Sequence, residues 1–362
     1  MNRTQLVTQL LHDTPAEKVY RTLYQHLPYT PGPAFPLVRS WNEFVSAYTK
    51  KAGTGEAVPK QPPTPIAAHF SEAEFFPATG TSQSEIIAFK HLRYTPAFIH
   101  SMQFVKLAYI LAGHCLFYLN GQTRTIHQGS LLIIGPNIDQ AFFVNDAQTI
   151  VINIIMRRST FEAAFSPLLM ASNTISDFFW QMLYGQHFSD ILLFPATADV
   201  EIQDAVLHLY DETQADPPRA GRAIIMNSYV LLLFGQLVRR HLDAVAVLTG
   251  SQRQQKLPAI LQYIHAHQAD IKLPAVAARF NLSDGYLSRY IKEATGVSFS
   301  ALLQQLRLRE AAQLLATTRL SIEAIVAQVG YGDVSHFYRI FRARYGVTPG
   351  QYRVVHKGTQ MR

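Results

Sequence analysis

Residues 257–362 align with themselves at an offset of 50, and this internal repeat constrains the fold more than any other feature. Leu287 falls on Phe337, Arg289 on Arg339, Ile291 on Phe341 and Lys292 on Arg342. Val276 falls on Val326, Ala277 on Ala327, and Gly296-Val297-Ser298 on Gly346-Val347-Thr348. Ser283 meets Asp333, and both residue types cap helix N-termini. Chance is a poor source of agreement at apolar, basic, capping and terminating positions together. Each copy predicts a short helix, a tight turn and a second helix. The first runs Pro274–Phe280, Asn281-Leu282, Ser283–Thr295; the second runs Ser321–Val329, Gly330-Tyr331-Gly332, Asp333–Tyr345. Two helices joined by a short turn form a helix-turn-helix, here spanning 274–295 and 322–345. Small Ala277, Ala278, Ala324 and Ala327 allow the helices to approach closely. Between the copies, Phe299–Leu315 reads as one helix about 25 Å long, a strut between the motifs. Arg307 and Arg309 on it are expected to meet a nucleic-acid backbone or to be solvated.

The second helices differ from generic helices in their outward chemistry. Leu287, Tyr290 and Ile291 form one inward stripe, leaving Asp284, Gly285, Ser288, Arg289 and Lys292 outside. Phe337, Ile340 and Phe341 form the other, leaving Val334, Ser335, His336, Tyr338, Arg339 and Arg342 outside. A helix that reads a major groove carries short polar groups and Arg near its N-terminal half. Lys or Arg one turn later reaches phosphate. Any one of these arginines is by itself an ordinary exposed side chain. Their recurrence at one place in both copies singles them out.

Charge follows the same division. Residues 251–362 hold 15 Lys/Arg against 6 Asp/Glu, whereas residues 1–250 hold 17 against 19. A compact basic module on a near-neutral partner suggests a polyanion ligand; a solvated basic face is the plainer alternative. With 362 residues, 48% of them hydrophobic, wholesale disorder is excluded and about two domains are expected. The apolar runs near Ile150–Met156 and Tyr229–Phe234 are too short to span a bilayer. The first residues, Met-Asn-Arg-Thr-Gln-Leu, lack the apolar core of a signal peptide. Cys115, the sole cysteine, excludes an internal disulfide and a cysteine-based zinc cluster. The chain therefore reads as soluble and cytoplasmic.

Residues 1–65 read as an arm and Pro-rich linker. Short helical patterns at Ala16–Gln25 and Asn42–Lys50 alternate with Pro28, Pro31, Pro33 and Pro36, then Gly53, Gly55, Pro59, Pro62, Pro63 and Pro65. From Glu85 to Met156 the pattern turns β, with runs at Phe104–Leu111, Leu116–Leu119, Leu131–Ile134, Ala141–Val144 and Ile150–Met156. Asn120-Gly121 signals a type I′ hairpin. Short strands and turns of this kind imply an antiparallel barrel or sandwich. Residues 159–248 then read as helical, at Phe161–Met170, Ile175–Tyr184, Val200–Thr213 and Arg222–Leu242. The last is apolar on most sides, which implies burial in its own core or a dimer seam near Tyr229.

The C-terminal region resembles the AraC/XylS family of bacterial transcription regulators. The likeness rests on Gly330-Tyr331-Gly332-Asp333-Val334-Ser335-His336-Phe337-Tyr338-Arg339-Ile340-Phe341-Arg342, then Gly346-Val347-Thr348-Pro349 and Tyr352-Arg353. The first copy agrees at Leu273–Phe280, Ser283, Leu287, Arg289, Lys292 and Gly296. It implies an AraC-type DNA-binding domain over 255–355, whose two second helices enter successive major grooves of double-stranded DNA. The residues it assigns to DNA are Ser283, Gly285, Tyr286, Ser288, Arg289 and Lys292 in the first copy. In the second they are Asp333, Val334, Ser335, His336, Arg339 and Arg342. Gly285 departs from the pattern, since that slot usually offers a side chain.

Leu111-Ala112-Gly113, Tyr118–Gly121 and Gly129–Pro136 also resemble the cupin-like sensor domain common in that family, here 66–158. The implied class is an α+β multidomain protein: a cupin-like antiparallel β-barrel with flanking helices, then an all-α domain with two helix-turn-helix motifs. The family adds a small-molecule effector, often a sugar, a homodimer joined through 159–248, and RNA polymerase as a further partner. Enzymatic cupins hold metal with clustered histidines and a glutamate. Here His100, His114 and His127 are scattered, Lys106 stands where an acid would be sought, and Asp139-Gln140 where a late histidine would fall. No metal, cofactor or catalytic residue is therefore assigned. A cupin-type metalloenzyme with an accessory DNA-binding module, or an effector-independent DNA-binding protein, are the competing readings.

Overall fold

The structure is a computed structural model that describes residues 3–25, 37–52, 58–76, 85–158, 160–161, 174–185, 190–197, 199–248 and 256–358. It is mixed α and β, and it separates into two compact units. One comprises Met1–Phe165 with Phe188–Gln252; the other comprises Ser166–His187 with Arg253–Arg362. In chain order the helices are α1 Arg3–Leu11, α2 Pro15–Gln25, α3 Trp41–Ala52, α4 Glu72–Phe75, α5 Thr174–Tyr184, α6 Val200–Gln214 and α7 Arg222–His241. They continue with α8 Leu257–Ala266, α9 Leu273–Arg279, α10 Asp284–Thr295, α11 Phe299–Thr317, α12 Ile322–Gln328, α13 Val334–Tyr345 and α14 Pro349–Gly358. The strands are β1 Leu37–Val38, β2 His69–Phe70, β3 Ile86–Lys90, β4 Ala97–Phe98, β5 Ser101–Met102, β6 Val105–Ala112 and β7 His114–Leu119. After them come β8 Gln122–His127, β9 Ser130–Ile134, β10 Gln140–Phe143, β11 Ile150–Met156, β12 Ile191–Pro195 and β13 Ala246–Leu248.

The first unit is built on two antiparallel sheets, one ordered β13-β12-β9-β6-β11-β3 and the other β10-β7-β8. Asn120 and Gly121 both take positive φ, 50° and 77°, and turn β7 into β8 as the Asn-Gly pair predicts. Alternation along the strands sends Ala108 and Ile110 of β6 and Phe117 and Phe142 of the smaller sheet into one shared core. The opposite face of β10, Ala141 and Phe143, is covered by Tyr20, Leu23, Trp41, Phe44 and Tyr48. Within the stretch expected to be an arm and linker, α2 and α3 thus contribute a packed aromatic layer; the prolines at 28–36 and the glycines at 53 and 55 lie outside the described residues. Aromatic residues at helical spacing on α2 and α3 bury too much apolar surface to stay in water.

Two further differences concern 159–248. Ile191–Pro195 and Ala246–Leu248 are strands of the larger sheet, β12 pairing with β9 and β13. Helix α5 falls within the second unit, where the Trp180 ring lies 5.3 Å from that of His265 on α8. The helix expected at 161–170 lies almost wholly outside the described residues. Helix α7 buries Met226, Val230, Leu233, Phe234 and Leu237 on one side. Its other side leaves Ile224, Ile225, Leu231 and Leu232 exposed. Among the described residues no helix is long and apolar enough to cross a membrane.

Candidate nucleic-acid interface

Each second helix of the repeat is defined at both ends by its own sequence. Ser283 Oγ accepts from the Tyr286 backbone N–H at 3.3 Å. Asp333 Oδ1 accepts from those of Ser335 and His336 at 2.8 and 3.2 Å. Gly296 and Gly346 close the two helices with φ of 76° and 75°, a left-handed conformation that glycine enters without steric cost. Leu287, Ile291, Phe337 and Phe341 are fully buried, whereas Tyr290 and Ile340, expected in the same stripes, are half-buried.

The offset of 50 therefore holds for α10 and α13, but not for the helices before them. Val276 and Ala277 are the buried pair of α9, and Ile325 and Val326 that of α12. The Leu282 N–H donates to the Ala277 carbonyl and the Tyr331 N–H to the Val326 carbonyl, each at 2.9 Å. Ala277 thus corresponds to Val326, an offset of 49, which corrects the pairings Val276/Val326 and Ala277/Ala327. The second turn is one residue longer, through Gly332. Gly330 takes φ of 86° there, and a Cβ on it would run into the Ala269 carbonyl oxygen.

The basic residues divide into those used inside the unit and those left outside. Arg307 Nε and Nη2 donate to the Gln268 and Ala269 carbonyls at 2.7 and 2.9 Å, and its guanidinium lies 5.5 Å from the Tyr331 ring centroid. Arg309 donates to the Tyr184 hydroxyl, and Arg353 to the Leu320 carbonyl at 2.6 Å. Arg307 and Arg309 are thus structural, neither solvated nor free for a backbone contact as expected from the sequence. Arg289, Lys292, Arg339, Arg342 and Arg344 remain exposed. Arg339 Nη2 lies 3.0 Å from His336 Nδ1. Because guanidinium only donates, that ring nitrogen accepts, which turns His336 Nε2–H outward.

The other residues assigned to DNA are placed as follows. Ser283, Gly285, Tyr286, Asp333, Ser335 and His336 are exposed, while Ser288 and Val334 are half-buried. Tyr286 stacks on Tyr290 at 6.2 Å, with an interplanar angle of 9°. Nothing lies within 4 Å of where a Gly285 Cβ would stand. Ser283 and Asp333 spend their side chains on the helix N-termini, so the exposed positions beyond them form the outward face.

In the first unit, His114 and His127 face each other across β7 and β8 on exposed positions, ring centroids 6.4 Å apart. His100 instead points into the interior, bonded to Gln140. Among the described residues no three His, Cys, Asp or Glu side chains gather to hold a metal ion.

Residues 276–354 match the Helix-turn-helix domain family. The regulatory protein PocR of Salmonella typhimurium (strain LT2) is 28% identical over 180 residues, 43% of this chain and 59% of PocR. The HTH-type transcriptional regulator YfiF of Bacillus subtilis (strain 168), itself uncharacterized, is 36% identical over 146 residues, 35% of this chain and 46% of its own length. The HTH-type transcriptional activator RhaS of Escherichia coli O139:H28 is 26% identical over 259 residues, 70% of this chain and 86% of RhaS. The chain spans about half the length of the first two of these relatives. The residues that match the family lie in the basic helical unit, which is thus similar to the helix-turn-helix region of transcription regulators. The likeness agrees with the resemblance of the C-terminal region to AraC/XylS regulators.

Proposed function

We propose that this protein is a sequence-specific transcription regulator. In this reading α10 and α13 lie in adjacent major-groove segments of one duplex face, about 34 Å apart. The observation that carries it is the equivalence of Arg289 and Arg339. Both are exposed one turn into helices with the same capped starts and glycine ends. Arg289 and Arg339, with Ser288, Ser335 and His336, read base edges, and Lys292 and Arg342 hold phosphate. The DNA-binding domain is 255–355, with its two helix-turn-helix motifs at 274–295 and 322–345.

The N-terminal β region, 66–158, acts as a cupin-like sensor for a small molecule. Two sheets closed over one interior, with strands at the expected places, support that assignment. The exposed apolar stripe of α7 supports a homodimer, and RNA polymerase is the partner through which bound protein acts. Selection from random duplex DNA with the full chain, beside an Arg289→Ala, Arg339→Ala variant, tests the reading. A sharp motif with two half-elements one helical turn apart, degraded in the variant, is expected. Binding that follows salt alone, with no motif, would sink it.

A further inference from the structure

Between the two sheets of the first unit, a cluster of buried polar side chains interrupts an apolar core. Lys106 on β6 and Asn153 on β11 enter it from the larger sheet, and Gln140 on β10 enters from the smaller; none is more than 2% exposed. Ile155 stands opposite Lys106 and Asn153 opposite Ala108, so the two polar residues are diagonal neighbours on adjacent strands. Lys106 Nζ lies 4.3 Å from the centroid of the Phe142 ring, and the His91 ring lies 5.7 Å from the same ring. His100 Nδ1 donates to the Phe98 carbonyl at 2.8 Å, so its Nε2 accepts from Gln140 Nε2 at 2.9 Å. That bond fixes the Gln140 amide and leaves its oxygen free.

The cluster is left incomplete by the protein itself. His91 Nε2, Gln140 Oε1 and Asn153 Oδ1 are buried without a hydrogen-bond partner among the described residues. Among the described residues no carboxylate pairs with Lys106. Each buried orphan costs about 1–3 kcal/mol, and a buried unpaired ammonium costs more. The same unit closes the buried charge of Glu17 directly with Lys90 and Arg93, so an unmatched lysine is not its general habit.

We infer that this cluster is a binding site for a small hydroxy acid: Lys106 receives the carboxylate, and Gln140 Oε1 and Asn153 Oδ1 accept from hydroxyl groups. The inference rests on the reading of this unit as an effector domain and names the class of effector. Burial pushes the Lys106 amine down to about 7. Burial and the Lys106 charge push His91 and His100 down to about 3 and 4, with Glu17 acting in the opposite direction on His91 and Asp139 on His100. Burial holds the facing Cys115 thiol up at about 12. At neutral pH both imidazoles and the thiol are uncharged, so the amine is the one cation the cluster offers. A bound carboxylate draws a proton onto it.

The test uses the full chain with lactate, malate, citrate, gluconate and glucarate, with gluconamide and glucose as uncharged counterparts. At least one acid is expected to raise Tm by about 5 °C at saturation, which the uncharged compounds do not. Calorimetry in two buffers near pH 8 should show uptake approaching one proton. Lys106→Met, checked for folding and for DNA binding, should lose at least about tenfold in affinity for that acid. No response to any acid, or equal responses from gluconate, gluconamide and the Lys106→Met chain, would overturn the assignment. DNA binding of the same samples separates the two readings. Specific DNA binding without an acid response removes the site alone; acid binding without sequence-specific DNA binding keeps the site and removes the regulator.

Discussion

Arg93 clamps Glu17 inside the first unit: its backbone N–H and its Nε each donate to Glu17 Oε1 at 2.9 Å. Lys90 Nζ reaches the other carboxylate oxygen at 2.8 Å, and Arg93 also meets Asp13 at 2.7 Å. Glu17 and Arg93 are almost wholly buried, so the network fixes α2 to the chain beyond β3 with little competition from water. Glu17→Gln leaves two buried cations short of a partner. A loss of about 3–5 kcal/mol in the unfolding of the first unit is expected by denaturant titration; a change under 1 kcal/mol would show that the clamp matters little.

The same carboxylate sets an acid limit. Burial would raise the Glu17 pKa, but hydrogen bonds from Arg93 and Lys90 outweigh it and hold it at about 2. A pKa depressed in the folded state gives stability that is complete above the unfolded value near 4.5 and disappears as pH falls toward 2. Thermal unfolding of wild type and Glu17→Gln should therefore differ most above pH 5 and converge on acidification. A constant gap down to pH 2 would assign the effect to shape alone.

Two glycines of the basic unit should respond in opposite directions. Gly330 lies at φ of 86° against the Ala269 backbone, so Gly330→Ala is expected to cost at least about 1–3 kcal/mol. Gly285 stands in helix α10 with open space around it, so Gly285→Ala should be neutral or stabilise by up to about 1 kcal/mol. Thermal denaturation of the full chain reads both, and a stable Gly330→Ala protein would contradict the close approach.

On DNA, Arg289→Ala and Arg339→Ala should each cost about 1–3 kcal/mol and relax preference at one base position. Lys292→Ala should weaken all duplexes alike and flatten the salt dependence by about one unit. Anisotropy titrations at several salt concentrations distinguish the two patterns; a shared pattern for all three variants would refute the division into base and phosphate contacts.

Most of the basic unit was legible because its signals are local. Ser283, Asp333, Gly296 and Gly346 mark helix ends within a few residues of the hydrogen bonds they make, and Asn120-Gly121 does the same for a hairpin. The offset of 49 in the first helices is masked in the sequence because Val and Ala also recur at 50, whereas burial distinguishes Ile325 and Val326. Strand β12 was hidden for another reason: its partner β9 lies some sixty residues earlier, and short apolar runs do not declare such pairing. Tyr20, Trp41, Phe44 and Tyr48 did signal a core, but the surrounding prolines spoke more loudly for a linker. The polar cluster at Lys106 was visible only as a residue out of place, since its neighbours come from four separate stretches of chain.

Arg307 grips the segment that leads into α9 and stacks on the turn that precedes α13. A single side chain therefore ties the entrance of one helix pair to the elbow of the other. An operator whose half-elements were moved apart by one base pair would present them rotated by roughly a tenth of a turn. A molecule with slack between its helix pairs could follow that change; if the proposed reading holds, the tie at Arg307 would resist it, and the distance between half-elements would become as much a part of its specificity as the bases within them.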